Sequence, residues 1–255
     1  MKILISNDDG YQADGINFLK ADLEVKHDVT MIAPNKERSS CGHGLTLGEP
    51  LRVKKINDNT YSCSGYPADC ILVGVGNILK DDRPDLVVSG INHGANLGQD
   101  RYYSGTIAAA REASFRGVPS IAISLVSKSQ KDVQHFEVAA AFVVSLIDKG
   151  IISTIPKMSI LNINVPNLPA DKIAGVKYTT AGIQNYSEEV IERKDGRGES
   201  YFWVGGTYQG YENIQGSDCT EVNNGFITLN LQDLSGKESS DSEKLKQLRS
   251  IINDL

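Results

Sequence analysis

Three short segments concentrate oxygen-bearing and small residues. They are Asn7-Asp8-Asp9-Gly10, Asn35-Lys36-Glu37-Arg38-Ser39-Ser40-Cys41-Gly42 and Ser89-Gly90-Ile91-Asn92-His93-Gly94-Ala95-Asn96. Adjacent strand residues point to opposite faces, so Asp8 and Asp9 can aim at one point only where a strand has ended, and Gly10 supplies that break. Two carboxylates held close repel, and a cation between them relieves the repulsion. Carboxylate, serine hydroxyl and asparagine amide oxygens are hard ligands that suit Mg²⁺, Mn²⁺ or Ca²⁺ rather than zinc or copper. Alone, Asp-Asp-Gly also reads as a polar turn; the meeting of three such loops is what favours a cation. A fourth segment, Tyr103-Ser104-Gly105-Thr106, precedes an Ala-rich run. Small hydroxyl residues and glycine at a helix start expose N–H groups to an anion. The same residues also serve as an ordinary N-cap through Ser104 or Thr106. The position after the third loop favours phosphate.

The surrounding pattern supplies elements to position these loops. Short apolar runs at 2–7, 28–33, 85–89, 120–125 and 159–165 read as buried strands. Between them, 15–24, 67–79, 106–115 and 133–147 carry apolar residues at helical spacing, with Pro67 opening the second. Segments 51–56 and 59–64 form a hairpin about Asn57-Asp58. Strands alternating with helices predict an α/β fold, a parallel sheet covered on both faces. Ligands of such sheets bind beyond the carboxyl ends of the strands, where the three loops should converge. After about residue 175 the pattern changes to a projecting β-hairpin around Arg193–Gly198, a strand at 226–231 and a terminal helix at 240–255. A hairpin and a terminal helix cannot bury much alone, so this part is expected to pack on a second subunit. The expected division is a catalytic core over 1–180 and a swapped arm of the same domain over 181–255.

Composition narrows the partners. The 255 residues hold 26 Lys plus Arg against 32 Asp plus Glu, a formal charge of −6. Residues 181–255 contain 7 basic and 13 acidic side chains, so the whole excess lies there. Without a basic surplus, a nucleic-acid polymer or an anionic membrane is a poor partner. No apolar run approaches the roughly 18 residues that span a bilayer. The N-terminus reaches carboxylates too soon for a secretory signal. Four cysteines without a Cys-x-x-Cys read as reduced thiols of a cytoplasmic protein.

Other chemistries fall away. There is no Walker phosphate loop, and Gly74-Val75-Gly76 lacks the third glycine of a dinucleotide fingerprint. Cys41 and His43 are too close in sequence for a nucleophile–base pair, which usually comes from separate elements. His43 and His93 flank the proposed site as proton donors or as lining; His27 and His135 read as structural.

Together these residues resemble the stationary-phase survival protein SurE family. The match rests on Ile5-Ser6-Asn7-Asp8-Asp9-Gly10, Arg38-Ser39-Ser40, Pro67-Ala68-Asp69-Cys70 and Val88-Ser89-Gly90-Ile91-Asn92-x-Gly94-x-Asn96. Tyr103-Ser104-Gly105-Thr106-x-x-Ala109-Ala110-x-Glu112, Leu161-Asn162-Ile163-Asn164-Val165-Pro166, Arg193-x-Asp195-x-Arg197-Gly198 and Trp203-x-Gly205-Gly206 extend it over nearly the whole chain. The resemblance implies a Rossmann-like three-layer core with a projecting hairpin and a C-terminal helical arm exchanged within homodimers or homotetramers. It implies a metal-dependent phosphatase of nucleoside 5′- and 3′-monophosphates, with exopolyphosphatase activity in some members. It implies one Mg²⁺ or Mn²⁺ per subunit, held by Asp8, Asp9, Ser39 and Asn92, with Asp8 and Asp9 catalytic. Asn96, Ser104, Gly105 and Thr106 would hold the phosphate. The chain departs from the family at Asp14, where proline is usual, and at Gln184-Asn185, where an arginine-containing stretch is common. The rival from another class is a nucleotide or phosphate sensor without turnover. A metal-dependent amide or ester hydrolase is a second rival, but its histidine spacing for zinc is missing.

Overall fold

The computed structural model describes residues 1–127, 129, 131–187 and 189–236. The expected terminal helix at 240–255 lies outside the described residues. The elements in chain order are β1 (Lys2–Ser6), α1 (Asp14–Glu24), β2 (Asp28–Pro34), β3 (Val53–Asn57), β4 (Thr60–Cys63), α2 (Pro67–Val73), β5 (Leu86–His93) and α3 (Gly105–Phe115). There follow β6 (Ser120–Val126), α4 (Phe136–Asp148), β7 (Ser159–Pro166), β8 (Gly175–Tyr178), β9 (Gln184–Tyr186), β10 (Glu189–Lys194), β11 (Ser200–Gly205), β12 (Tyr208–Tyr211), α5 (Asp218–Asn223) and β13 (Phe226–Asp233).

Strand alternation builds the layers. Within β1, Ile3 and Ile5 join one apolar cluster and Leu4 the other. Leu86 and Val88 against Val87 divide in the same way on β5, as do Met31 and Ala33 against Ile32 on β2. The first cluster is closed by Ile16, Leu19 and Leu23 of α1 and Phe136, Ala140 and Val143 of α4. The second is closed by Cys70 and Ile71 of α2 and Ala109 and Ala113 of α3. A sheet apolar on both faces and covered by helices on both is the three-layer α/β arrangement the sequence pattern predicts.

The nine strands run in the order β3-β4-β2-β1-β5-β6-β7-β13-β8. The six from β4 to β7 are mutually parallel. The sheet is nevertheless mixed rather than wholly parallel, because β3 is antiparallel to β4 and β13 antiparallel to β7. Strand β13 pairs over Thr228–Asp233 with β7 and carries β8 on its other side. The 181–255 segment is therefore shared between the main sheet and the projecting hairpin β10–β11, which forms its own two-stranded sheet. The expected helix at 67–79 is α-helical only to Val73; Gly74–Ile78 continues as a wider π turn. Short α5 and β8 had no clear periodic signal. No helix of the described residues is long and apolar enough to cross a membrane.

Strand order reverses at β1, with β2 on one side and β5 on the other. The crevice opens beyond the carboxyl ends of these three strands, because the connections leave in opposite directions there.

Candidate active site

The turn after β1 is built by one side chain. Asn7 Nδ2 donates to the Gly10 carbonyl at 3.0 Å, and Gly10 N–H donates to Asn7 Oδ1 at 3.1 Å. Asn7 thereby braces both edges of the turn that carries Asp8 and Asp9. Gly10 has φ +101°, a region that disfavours a side chain. Neighbouring loops lock on through backbone bonds: Arg38 N–H to Asp8 O at 2.7 Å and Tyr11 N–H to Pro34 O at 3.0 Å.

Asp8 is 4% exposed and accepts the Thr106 hydroxyl at Oδ1. The backbone N–H groups of Gly105 and Thr106, at the start of α3, also bond to it. Burial nevertheless dominates and raises its carboxyl above the ordinary value. Gly105 has to be glycine: a Cβ there would stand 2.8 Å from Asp8 Cβ and 2.8 Å from Cys41 Sγ. Asp9 accepts the His93 backbone N–H at 3.1 Å and lines a cleft of about 350 Å³ with Asp14, Glu37, Ser39, His93 and Phe136. Burial first, then the neighbouring Asp8 charge, pushes Asp9 up to about 7. Among the described residues, no Lys, Arg or His side chain forms an ion pair with Asp8 or Asp9.

That elevation has a definite sign. A proton held more tightly in the folded chain than in the unfolded one favours folding at low pH. The advantage is lost as pH rises from 3.8, the ordinary value, through about 7. Chelator-treated protein should therefore lose melting temperature relative to its Asp9→Asn variant across this window, with the difference levelling off above it. Parallel pH dependences of the two proteins in calorimetric scans would contradict the assignment.

The remaining sequence-derived residues divide in two. Ser39 and Asn92 stand at the cleft end of the sheet. Ser39 Oγ donates to Glu37 Oε1 at 2.7 Å, which leaves the hydroxyl lone pairs for another partner. Asn92 Nδ2 donates to Gly94 O at 2.9 Å, so the amide nitrogen is engaged and the carbonyl oxygen is its remaining acceptor. Ser104 is the N-cap of α3, accepting Ile107 N–H at 3.1 Å. Thr106 is committed to Asp8. Asn96 is buried, its Nδ2 donating to Ser124 Oγ at 2.8 Å and its backbone N–H to Asn164 Oδ1 at 2.9 Å.

Sequence reasoning missed what holds Asn96. Asn162 and Asn164 on β7 donate to its carbonyl at 2.9 and 3.1 Å. The signal was available: two asparagines at period two in an otherwise apolar strand share one face, and burying them demands partners. Glu37 and Asp14 were also missed as cleft walls. Asp14, the departure from the family pattern, begins α1, where a carboxylate complements the helix dipole. The two flanking histidines separate: His93 lines the cleft, while His43 Nε2 is 3.0 Å from Glu112 Oε2 and its ring packs near Phe115.

Cys41 is no nucleophile. Burial and the Asp8 charge push its thiol up to about 11, so it stays protonated at neutral pH. Cys41→Ser is expected to leave turnover within about twofold of the parent; a loss of a hundredfold or more would show that the sulfur takes part.

The residues also fit a hard cation by their donor chemistry. Among the described residues no group of three or more His, Cys, Asp and Glu is placed to hold a metal ion. A cation here would rest on two carboxylates supplemented by neutral oxygens, the donor type of Mg²⁺ or Mn²⁺. Asp8 and Asp9 are desolvated and mutually repelling, which an ion between them would reverse.

Comparison with known proteins places the chain in context. A family model described as "Survival protein SurE" matches residues 3–188. The 5′-nucleotidase SurE of Vibrio campbellii is 43% identical over 241 residues, which cover 94% of this chain and 92% of that protein. The 5′-nucleotidase SurE of Geotalea uraniireducens is 43% identical over 231 residues, covering 90% and 91%. The crystal structure of the Sure protein from Aquifex aeolicus superposes with a TM-score of 0.84 at 36% identity, covering 98% of this chain and all of that one.

Proposed function

The chain belongs to the survival protein SurE family, and from that premise we propose that it is a divalent-cation-dependent 5′-nucleotidase. The observation that carries the reading is the Asp8-Asp9 pair beside the N-terminus of α3, Asp8 buried and Asp9 at the cleft wall, with no ion-pair partner among the described residues. Its relatives' names supply the reaction: hydrolysis of a nucleoside monophosphate to nucleoside and phosphate. Nucleoside 3′-monophosphates and the terminal phosphate of polyphosphate are further substrates of the same chemistry.

Asp8, Asp9, Ser39 and Asn92 would hold one Mg²⁺ or Mn²⁺. Held there, such an ion would supply charge neutralisation for phosphoryl oxygens and would lower the pKa of a water. Uncatalysed phosphate-monoester hydrolysis is so slow that charge neutralisation and positioning together must lower the barrier by roughly 20 kcal/mol. The chain's part begins at Asp8, which Thr106 and the α3 amides orient. Asp9 lies at the cleft wall, so of the two it is the one placed to accept a proton from an attacking water. Ser104, Gly105 and Thr106 present the positive end of α3 toward Asp8, and a phosphate would meet the same end. Asn96, fixed by Ser124 and Asn164, completes the phosphate side. His93 is the side chain at the cleft wall available to the leaving oxygen.

The same reading makes the protein a cytoplasmic homodimer or homotetramer, with the 181–255 segment as its assembly arm. The four free cysteines support the first part. The hairpin β10–β11 supports the second, since Val190, Ile191, Phe202, Trp203 and Val204 are all exposed on it. Phosphate release from a panel of nucleoside monophosphates, with Mn²⁺ or Mg²⁺ and with EDTA, tests the proposal. Release abolished by EDTA and restored by the ion is expected. Binding of nucleotide without release would leave the sensor in its place.

A further inference from the structure

The loop after β2 has two working faces. Glu37 and Ser39 line the cleft that contains Asp9, whereas Lys36 and Arg38, alternating with them, line a second cavity of about 370 Å³. Arg52, Glu49, Thr46 and Ser64 contribute to its walls. Three cationic side chains thus face one carboxylate. Among the described residues none of these four charged groups forms an ion pair.

The Arg38 guanidinium is held in place rather than free. Its Nη2 donates to the Ser64 carbonyl at 2.6 Å, and its carbon lies 4.9 Å from the Tyr66 ring centroid. Its Nε–H is buried and finds no acceptor among the described residues. A buried guanidinium donor without a partner is costly and calls for an acceptor oxygen. Arg52 is tied to the same wall by its backbone N–H, which donates to Ser64 Oγ at 3.0 Å. The loop itself is pinned at Asn35 N–H to Cys63 O and at Arg38 N–H to Asp8 O, both 2.7 Å. The cations are therefore presented by fixed backbone, which lowers the ordering cost of binding.

We propose that this cavity is a second anion site, separate from the cleft, that takes a phosphoryl dianion. Two arginines offer the planar N–H pairs that match phosphate oxygens, Lys36 adds a point charge, and the Ser64 hydroxyl, which accepts the Arg52 N–H, keeps its own proton as a neutral donor. The phosphoryl group has two sources. It belongs to a free phosphorylated effector, or it is the second phosphate of a nucleotide whose first phosphate lies in the cleft. The first source needs nothing from the proposed activity; the second rests on it.

Calorimetric titration of EDTA-treated protein with inorganic pyrophosphate tests the site. Removing divalent ions leaves the Asp8 and Asp9 carboxylates uncompensated, so they oppose anion binding in the cleft. The Lys36→Gln/Arg52→Gln double variant, with folding checked by circular dichroism, is expected to bind pyrophosphate about tenfold or more weakly than the parent. Its kcat/KM for AMP with Mn²⁺ should stay within about twofold, since neither residue lines the cleft. A KM raised about tenfold for adenosine 3′,5′-bisphosphate but not for AMP assigns the site to a second substrate phosphate. Equal KM shifts of zero, with weakened pyrophosphate binding, assign it to a free effector. Equal pyrophosphate affinity in parent and variant, or no binding to the EDTA-treated parent, overturns the proposal. Because that titration needs no turnover, failure of AMP hydrolysis would defeat the nucleotidase reading and leave this result independent.

Discussion

Asp8→Asn protein is expected to fold like its parent and to release phosphate from nucleoside monophosphates at least ~10³-fold more slowly. The substitution keeps shape and volume, and the amide oxygen can still accept the Thr106 hydroxyl and the α3 amides. Charge alone is lost. Because burial raises the Asp8 carboxyl, ionised Asp8 is a destabilising element of the cation-free fold. Its neutral replacement should therefore melt at the same temperature or slightly higher, and stabilisation by added Mn²⁺ should vanish. Thermal melts with and without Mn²⁺, beside a phosphate-release assay, separate the two effects. Full turnover in this variant would remove Asp8 from the reaction; a large fall in melting temperature would make it a structural residue instead.

Gly15→Ala carries the largest expected loss of stability. A Cβ on Gly15 would lie 2.1 Å from the Ile91 carbonyl oxygen and 3.1 Å from Phe136 Cε1. The first contact is with backbone of β5, which cannot rotate away. Relief requires α1 to lift from the sheet, and α1 anchors the core through Ile16, Leu19 and Leu23, all fully buried. The cost should be about 3–5 kcal/mol, or a drop of roughly 6–10 °C in melting temperature for a chain of this size. Gly76→Ala is the control: a Cβ there meets nothing within 4 Å. Its melting temperature should hold or rise slightly, since alanine is favoured over glycine in a helical turn. Equal melting temperatures for the two variants would mean that α1 and β5 do not approach as closely as described.

Gly15 also shows why part of the site stayed hidden from sequence. Beside Asp14 it reads as a helix start, and nothing local says that β5 backbone lies against it. Glu37 was hidden for the same reason, as one charged residue in a polar loop. Only the path of the chain after β2 turns Glu37 and Ser39 to one side and Lys36 and Arg38 to the other. Asn162 and Asn164 were half legible: their period announced a buried polar face, while their partner, the Asn96 carbonyl 66 and 68 residues away, did not. Ser104 stayed open between cap and anion site because one hydroxyl suits both; in the fold it accepts the Ile107 N–H as the cap of α3.

By itself the sequence determined the layered α/β core, the family resemblance and the carboxylate turn, because period-two and helical spacing and the Asn-Asp-Asp-Gly order are local properties. Tertiary structure alone decided the rest. It set β13, the strand expected at 226–231, into the main sheet between β7 and β8, a place no local pattern assigns. It set the start of α3 against Asp8 across 98 residues, and it placed His93 rather than His43 at the cleft. Such pairings depend on strand order and helix packing, where the free energy is shared among distant residues, so no short window of sequence contains them.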